Sequence, residues 1–272
     1  MPIKAICTDI DGTLLDRNRE LSPRTRKAFA SLPPEFPVIL ASSRMPSAMI
    51  HLLKDLRREN NPLICYNGGF VLPAYSSSQP LPIRSVWIPV EVCQQIAQLS
   101  ESTNIHLSLY SENSWYAPKM DAWTAKEEHA TKVKATLLEN SAVLSHWKQN
   151  RSGAHKVMCM GPAKEIQALY EELDERLSSV LHLYRSKDTY LEIAPKPISK
   201  ATGLREVLSK LDIKMEEVIA FGDNYNDIEL LSSVGLGIAV ENAVREVKAV
   251  AREITASNTA DGVARAIEKH LL

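Results

Sequence analysis

Asp9 and Asp11 stand two residues apart at the end of the apolar run Ile3–Thr8, followed by Gly12 and Thr13. Along an extended backbone, side chains two apart lean the same way. Two carboxylates held together can divide labour: one stays ionised and attacks phosphorus, the other carries a proton to the leaving oxygen and then takes one from water. Ser42, Ser43 and Arg44 follow a second apolar run, Pro37–Ala41; Asn67 and Gly68 follow a third, Leu63–Tyr66; Gly222, Asp223, Asn226 and Asp227 follow Val218–Phe221. Carboxylates gathered at apolar strand ends are costly unless their charge is neutralised. An all-oxygen donor set selects Mg²⁺ over zinc, and Mg²⁺ pairs carboxylates with substrate phosphate oxygens. A hydroxyl and a lysine would hold and neutralise a transferring phosphoryl group. The seven histidines have no zinc-ligand spacing.

These groups need a scaffold that brings four strand ends together. Short β-branched and apolar runs alternate with helical segments: Ile3–Thr8, a helix opening at Ser22-Pro23, Pro37–Ala41, a helix over Ser47–Glu59, then Leu63–Tyr66. That order predicts a parallel, doubly wound sheet, in which ligands bind beyond the carboxyl ends of the strands. Pro73–Pro82, rich in Pro and Ser, reads as a crossing loop. From about Ile83 to Ile193 the rhythm is that of an open α+β sandwich: a strand over Arg84–Ile88, a helix over Pro89–Thr103, and further strands and helices to Tyr190–Ile193. All four tryptophans fall in this stretch and read as packing residues. The βα alternation then resumes. The expected organisation is one discontinuous core, residues 1–82 and 191–272, with a second domain, 83–190, inserted into it.

The chain has 272 residues, 32 Lys+Arg against 33 Asp+Glu, 44% hydrophobic and 24% charged residues. This is an ordinary globular composition. It excludes disordered, collagen-like and disulfide-scaffold chains, and its balance of charge argues against nucleic-acid binding. Cys7, Cys65, Cys93 and Cys159 are dispersed and read as buried free thiols of a reducing compartment. No secretory leader pattern and no run of about 18 apolar residues is present, so the expectation is a cytoplasmic protein with no membrane partner, monomer or homodimer.

Asp9-Ile10-Asp11-Gly12-Thr13 matches the DxDGT signature of the haloacid dehalogenase (HAD) superfamily. Ala41-Ser42-Ser43-Arg44 resembles its second motif, Lys200 sits where its third-motif lysine is expected, and Gly222-Asp223-Asn224-Tyr225-Asn226-Asp227 matches GDxxND. Asn67-Gly68 and the tail, GLGIAVENA then ASNTADGVARAIEKHL, are similar to the Cof-type branch, mostly sugar-phosphate phosphatases. The resemblance implies an α/β fold: a Rossmann-like parallel-sheet HAD core with an inserted α+β cap of type C2, subclass B. It implies a Mg²⁺-dependent phosphatase acting on a small phosphorylated metabolite. Asp9 would be the nucleophile, forming an aspartyl-phosphate, and a metal ligand. Asp11 would be the general acid/base and would bind Mg²⁺ through its backbone carbonyl. Asp223 would be the third ligand, and Asp227 would support the metal shell. Ser42, Lys200, Asn226 and the backbone at Ile10 and Ser43 would hold the phosphate. Arg44, Asn67 and Gly68 are candidate substrate contacts; Arg44 could equally pair with a carboxylate, and an Asn-Gly turn is structurally sufficient by itself. The sequence departs from the family pattern at Ser43 and Glu241, where glycines are usual; Glu241 would put a charge near the active-site rim. A phosphotransferase or mutase of the same fold and a non-catalytic sugar-phosphate sensor are the alternatives, the second disfavoured by the intact nucleophile.

Overall fold

The apolar runs AICT, VILA and VIAFG are buried along their whole length. Uniform burial, without alternation, marks strands covered on both faces, as in parallel sheets flanked by helices. In the computed structural model, which describes residues 2–74 and 81–272, these runs lie in one sheet. Among the described residues that sheet has eight strands. Their spatial order is Glu253–Thr255, Leu236–Val240, Val218–Gly222, Ala5–Thr8, Val38–Ala41, Leu63–Cys65, Phe70–Leu72 and Arg84–Ser85. The first six pair in parallel. The strand Phe70–Leu72, not foreseen in the sequence, turns back antiparallel on Leu63–Cys65. Chain order reverses between Ala5–Thr8 and Val218–Gly222, which run side by side with Cys7 opposite Ala220. The carboxyl ends of these two strands therefore open the crevice of the fold.

The chain divides into two compact units, Met1–Arg84 with Ser199–Leu272, and Ser85–Ile198. The second change of unit falls at Ser199, not at residue 191. The reason is pairing: Tyr190–Pro195 is hydrogen-bonded to Leu181–Lys187 and to Lys156–Met160, inside the second unit's sheet. Residues expected as one strand over Arg84–Ile88 split for the same reason: Arg84–Ser85 closes the core sheet, while Ile88–Pro89 pairs with Gly153–Ala154. The helix expected over Ser47–Glu59 is a 3₁₀ turn, Pro46–Ala48, running into a short helix, Ile50–Asp55. Residues 75–80 of the expected Pro/Ser loop lie outside the described residues.

The second unit carries a six-stranded sheet, antiparallel except for the pairing of Ser114–Ala117 with Thr136–Leu137. Helices Val90–Ser100, Asn140–Asn150 and Ala163–Leu177 bury Ile96, Trp147, Ile166 and Leu173 against the strand residues Leu109, Val157, Cys159 and Ile193. Trp115 stacks on Tyr110 at 5.5 Å between ring centres. All four cysteines are buried and unbridged. No helix of the described residues is long and apolar enough to cross a membrane.

Candidate active site

Lys200 is delivered by a helix start. The Ser199 hydroxyl accepts from the Thr202 amide at 3.1 Å, and the Thr202 hydroxyl accepts from the Ser199 amide at 2.9 Å. This reciprocal cap fixes the first turn of helix Lys200–Leu211. The Lys200 side chain is fully buried, and its Nζ donates to Asp9 Oδ1 at 2.5 Å and to Asp227 Oδ1 at 2.7 Å. Burial works against its charge, but Asp227 and Asp9 outweigh it and hold the ammonium's pKa above its ordinary value. For the Asp9 carboxyl, burial raises the pKa; Lys200 opposes this, and Asp227 and Asp223 add to it.

Asp227 is satisfied on both oxygens: Oδ2 accepts the Asp223 amide at 2.9 Å and the Asn224 amide at 3.1 Å. That folds the GDxxND loop onto its own last carboxylate. Gly222 Cα lies so close to the Asp227 side chain that a Cβ would meet its Cβ at 2.4 Å. Asp223 Oδ1 accepts the Thr13 hydroxyl at 2.8 Å. Its pKa is pushed up to about 6, first by burial and then by repulsion from Asp227. Among the described residues, Asp9, Asp223 and Asp227 form a group whose ligand oxygens lie within 4.8 Å of one another. One lysine cation faces three carboxylates, an excess of buried negative charge with only oxygen donors. Those are the conditions a hard divalent cation fits.

Asp11 does not point with Asp9. The chain turns at Asp11, with the Leu14 and Leu15 amides both bonded to the Ile10 carbonyl, so the backbone is no longer extended there. Asp11 is gripped by the Arg44 fork: Nε donates to Oδ2 at 2.8 Å and Nη2 to Oδ1 at 2.7 Å, while Nη1 reaches the Ala48 carbonyl. Burial acts against the Asp11 anion, but the Arg44 bonds outweigh it and hold the carboxyl below its ordinary value. Of the two readings of Arg44, the structure shows the carboxylate pairing.

Ser42 is buried, its Oγ accepting the Arg44 amide at 3.3 Å, and half-buried Ser43 follows it. Asn226 Nδ2 donates to Asn67 Oδ1 at 3.0 Å, which joins the loops after the third and fourth apolar runs. Asn67 and Gly68 have φ of 55° and 100°. A Cβ on Gly68 would sit 2.2 Å from the Ser199 carbonyl oxygen, so Gly68 lets the turn press against the cap of the Lys200 helix. Thr13, which the sequence puts at the first strand end, joins the site through its hydroxyl. The sequence places it in the DxDGT turn, but nothing in spacing alone aims its hydroxyl at a residue 210 positions away.

Residues 6–267 match the family model for haloacid dehalogenase-like hydrolases. A Haemophilus influenzae protein provisionally named a phosphatase is 32% identical over 273 residues, spanning 99% of this chain and 98% of its own. A Bacillus subtilis protein, 5-amino-6-(5-phospho-D-ribitylamino)uracil phosphatase YitU, is 26% identical over 97% of this chain and 96% of its own. A solved haloacid dehalogenase-like hydrolase from Bacteroides thetaiotaomicron superposes with a TM-score of 0.87 at 28% identity, covering 98% of this chain and 99% of that one. The subclass IIB sugar phosphatase BT4131 shares the fold, with a TM-score of 0.81, 22% identity and 98% of each chain covered. The chain belongs to the haloacid dehalogenase-like hydrolases. Within that family it is a Cof-type phosphatase, an enzyme of phosphate monoesters.

Proposed function

We propose that the protein is a Mg²⁺-dependent phosphatase of small phosphorylated metabolites, sugar phosphates foremost, working through an aspartyl-phosphate on Asp9. The observation that carries the reading is the buried contact of Lys200 with Asp9 and Asp227 beside Asp223. Asp9, Asp223 and the Asp11 carbonyl would hold Mg²⁺, with Asp227 steadying the loop beneath. When bound, the cation supplies positive charge that draws the phosphate oxygens in and offsets the negative charge that gathers on them.

Lys200 keeps Asp9 in place and offers a proton-rich, fixed positive charge to the phosphoryl group. Ser42, Asn226 and the amides at Ile10 and Ser43 line the same strand ends and would complete the phosphate cradle. An Asp9 oxygen attacks phosphorus; the P–O bond to the leaving group breaks as Asp11 gives that oxygen its proton. Water then attacks the phosphorus of the acyl phosphate. Asp11 takes the water's proton, and the bond to Asp9 breaks to release inorganic phosphate. In the Arg44 fork Asp11 is an anion, the form that receives a proton. Acting as the acid requires Asp11 to leave the fork carrying a proton.

The test is hydrolysis of p-nitrophenyl phosphate and of a panel of phosphorylated sugars. Wild type should be active with Mg²⁺ and silent in EDTA, and Asp9→Asn should lose about 10³-fold or more in kcat. Activity retained by Asp9→Asn would sink the covalent route; activity retained in EDTA would remove the metal.

A further inference from the structure

The tail segments GLGIAVENA and ASNTADGVARAIEKHL carry two asparagines that reach back to the first motif. Asn242, just past strand Leu236–Val240, donates from Nδ2 to the Gly12 carbonyl at 2.7 Å. Its Oδ1 accepts the Asn258 amide at 2.9 Å. Asn258 in turn donates from Nδ2 to the Leu15 carbonyl at 2.8 Å. Two side-chain amides, joined through the Asn258 backbone N–H, thus hold the Gly12 and Leu15 carbonyls of the turn that begins at Asp11. Two residues beyond Asn242, the Val244 amide donates to the Asp223 carbonyl at 2.9 Å. The same short segment therefore ties down the turn bearing Asp11 and the loop bearing Asp223.

The turn has little slack. Gly12 has φ 85°, and a Cβ there would lie 2.5 Å from Asp223 Oδ2, so a small shift of the turn changes the spacing between the two loops. Its own bonds, from Leu14 and Leu15 to the Ile10 carbonyl and from Thr13 to Asp223, leave the Gly12 and Leu15 carbonyls to the asparagines. At Asn258 the side chain must donate to a carbonyl, and at Asn242 it must also accept from an N–H, which the two ends of an amide do at once. An aspartate keeps the shape and puts an acceptor against an acceptor.

We propose that Asn242 and Asn258 act as one clip that positions the Asp11–Leu15 turn for the reaction. This rests on the reading of Asp9 and Asp11 given above. Both side chains are at least partly exposed, so their hydrogen bonds add little to global stability. A displacement on the order of 1 Å at reacting groups can cost 10²-fold in rate.

The experiment compares wild type, Asn242→Asp, Asn258→Asp and the double variant, each with Mg²⁺ and p-nitrophenyl phosphate. kcat and KM are measured alongside the urea unfolding midpoint. Each single variant is expected to lose about tenfold or more in kcat, with KM and the unfolding midpoint nearly unchanged. The double variant should lose no more than the worse single one, because a clip opened at one end is already open. Unchanged kcat in both single variants, or losses that multiply in the double, would overturn the proposal. So would a kcat that falls only in step with the unfolding midpoint. Asp9→Asn is run in parallel: activity surviving there overturns the covalent reading, whereas an effect of the asparagine variants is read on whatever activity the wild type has.

Discussion

Lys200 carries one charge between two buried carboxylates, and the consequence of removing it can be given a size. Lys200→Met would leave Asp9 and Asp227 facing each other without a counterion, Asp227 having no exposure at all. Breaking a buried pair from one side costs about 3–5 kcal/mol. Urea unfolding should show a loss of that order together with loss of activity; a stability within 1 kcal/mol of wild type, on the scale of an exposed pair, would show that the contact is not formed. The carboxylates of this constellation were legible from types and spacing, because they follow apolar runs, whereas Lys200 was legible only through the resemblance to the third motif. The pairings among these residues were not. That Arg44 closes on Asp11, and that Thr13 reaches Asp223, depends on a turn at Asp11 whose direction no spacing encodes.

Elements deliver these side chains through their ends, so the vulnerable points are caps and turns. Gly68→Ala would force φ 100° on a residue with a Cβ and drive that atom into the Ser199 carbonyl, where the Lys200 helix begins. The expected cost is at least about 2 kcal/mol, with kcat falling as the helix start is displaced; an alanine variant with unaltered unfolding and rate would show that the turn has room. In the second unit the corresponding point is His155, buried beside strand Lys156–Met160. The Glu112 amide donates to its Nδ1 at 3.0 Å, and Ser85 Oγ lies 2.9 Å from Nε2, so the ring is neutral. Burial pushes its pKa down from 6.5 to about 4. Between those values the unfolded chain takes a proton that the folded chain refuses. Stability from this residue is therefore intact above about pH 6.5, falls through the interval and levels off near pH 4, a span on the order of 3 kcal/mol. His155→Gln should flatten the urea-midpoint profile between pH 7 and 4; an unchanged slope would assign the acid sensitivity elsewhere. Elements read well where a run is uniformly apolar, as at Ala5–Thr8 and Val218–Gly222. Boundaries failed where pairing decides, as at Tyr190–Pro195 and across Arg84–Ile88.

At the scale of the whole molecule, two units with separate cores imply two unfolding events rather than one. If Mg²⁺ is held by Asp9 and Asp223 as proposed, it should raise only the transition of the unit that contains them. The gain is about 2.7 kcal/mol at a hundredfold excess over Kd, and calorimetry with and without EDTA reads it; both transitions moving together would show that the units melt as one. The discontinuity itself has a further consequence for how the enzyme is made. Ala5–Thr8 pairs with Val218–Gly222, and 191 residues separate Asp9 from Lys200. At ribosomal rates that interval lasts roughly 10–40 s. The contiguous stretch Ser85–Ile198 can condense while the first strand still waits for its neighbour. A chain that ends before Lys200 carries Asp9, the proposed nucleophile, but neither the Lys200 ammonium nor the Gly222–Asp227 loop. On the proposed mechanism, phosphoester cleavage is withheld until translation has passed the Gly222–Asp227 loop, so that a truncated chain would bind and release no phosphate.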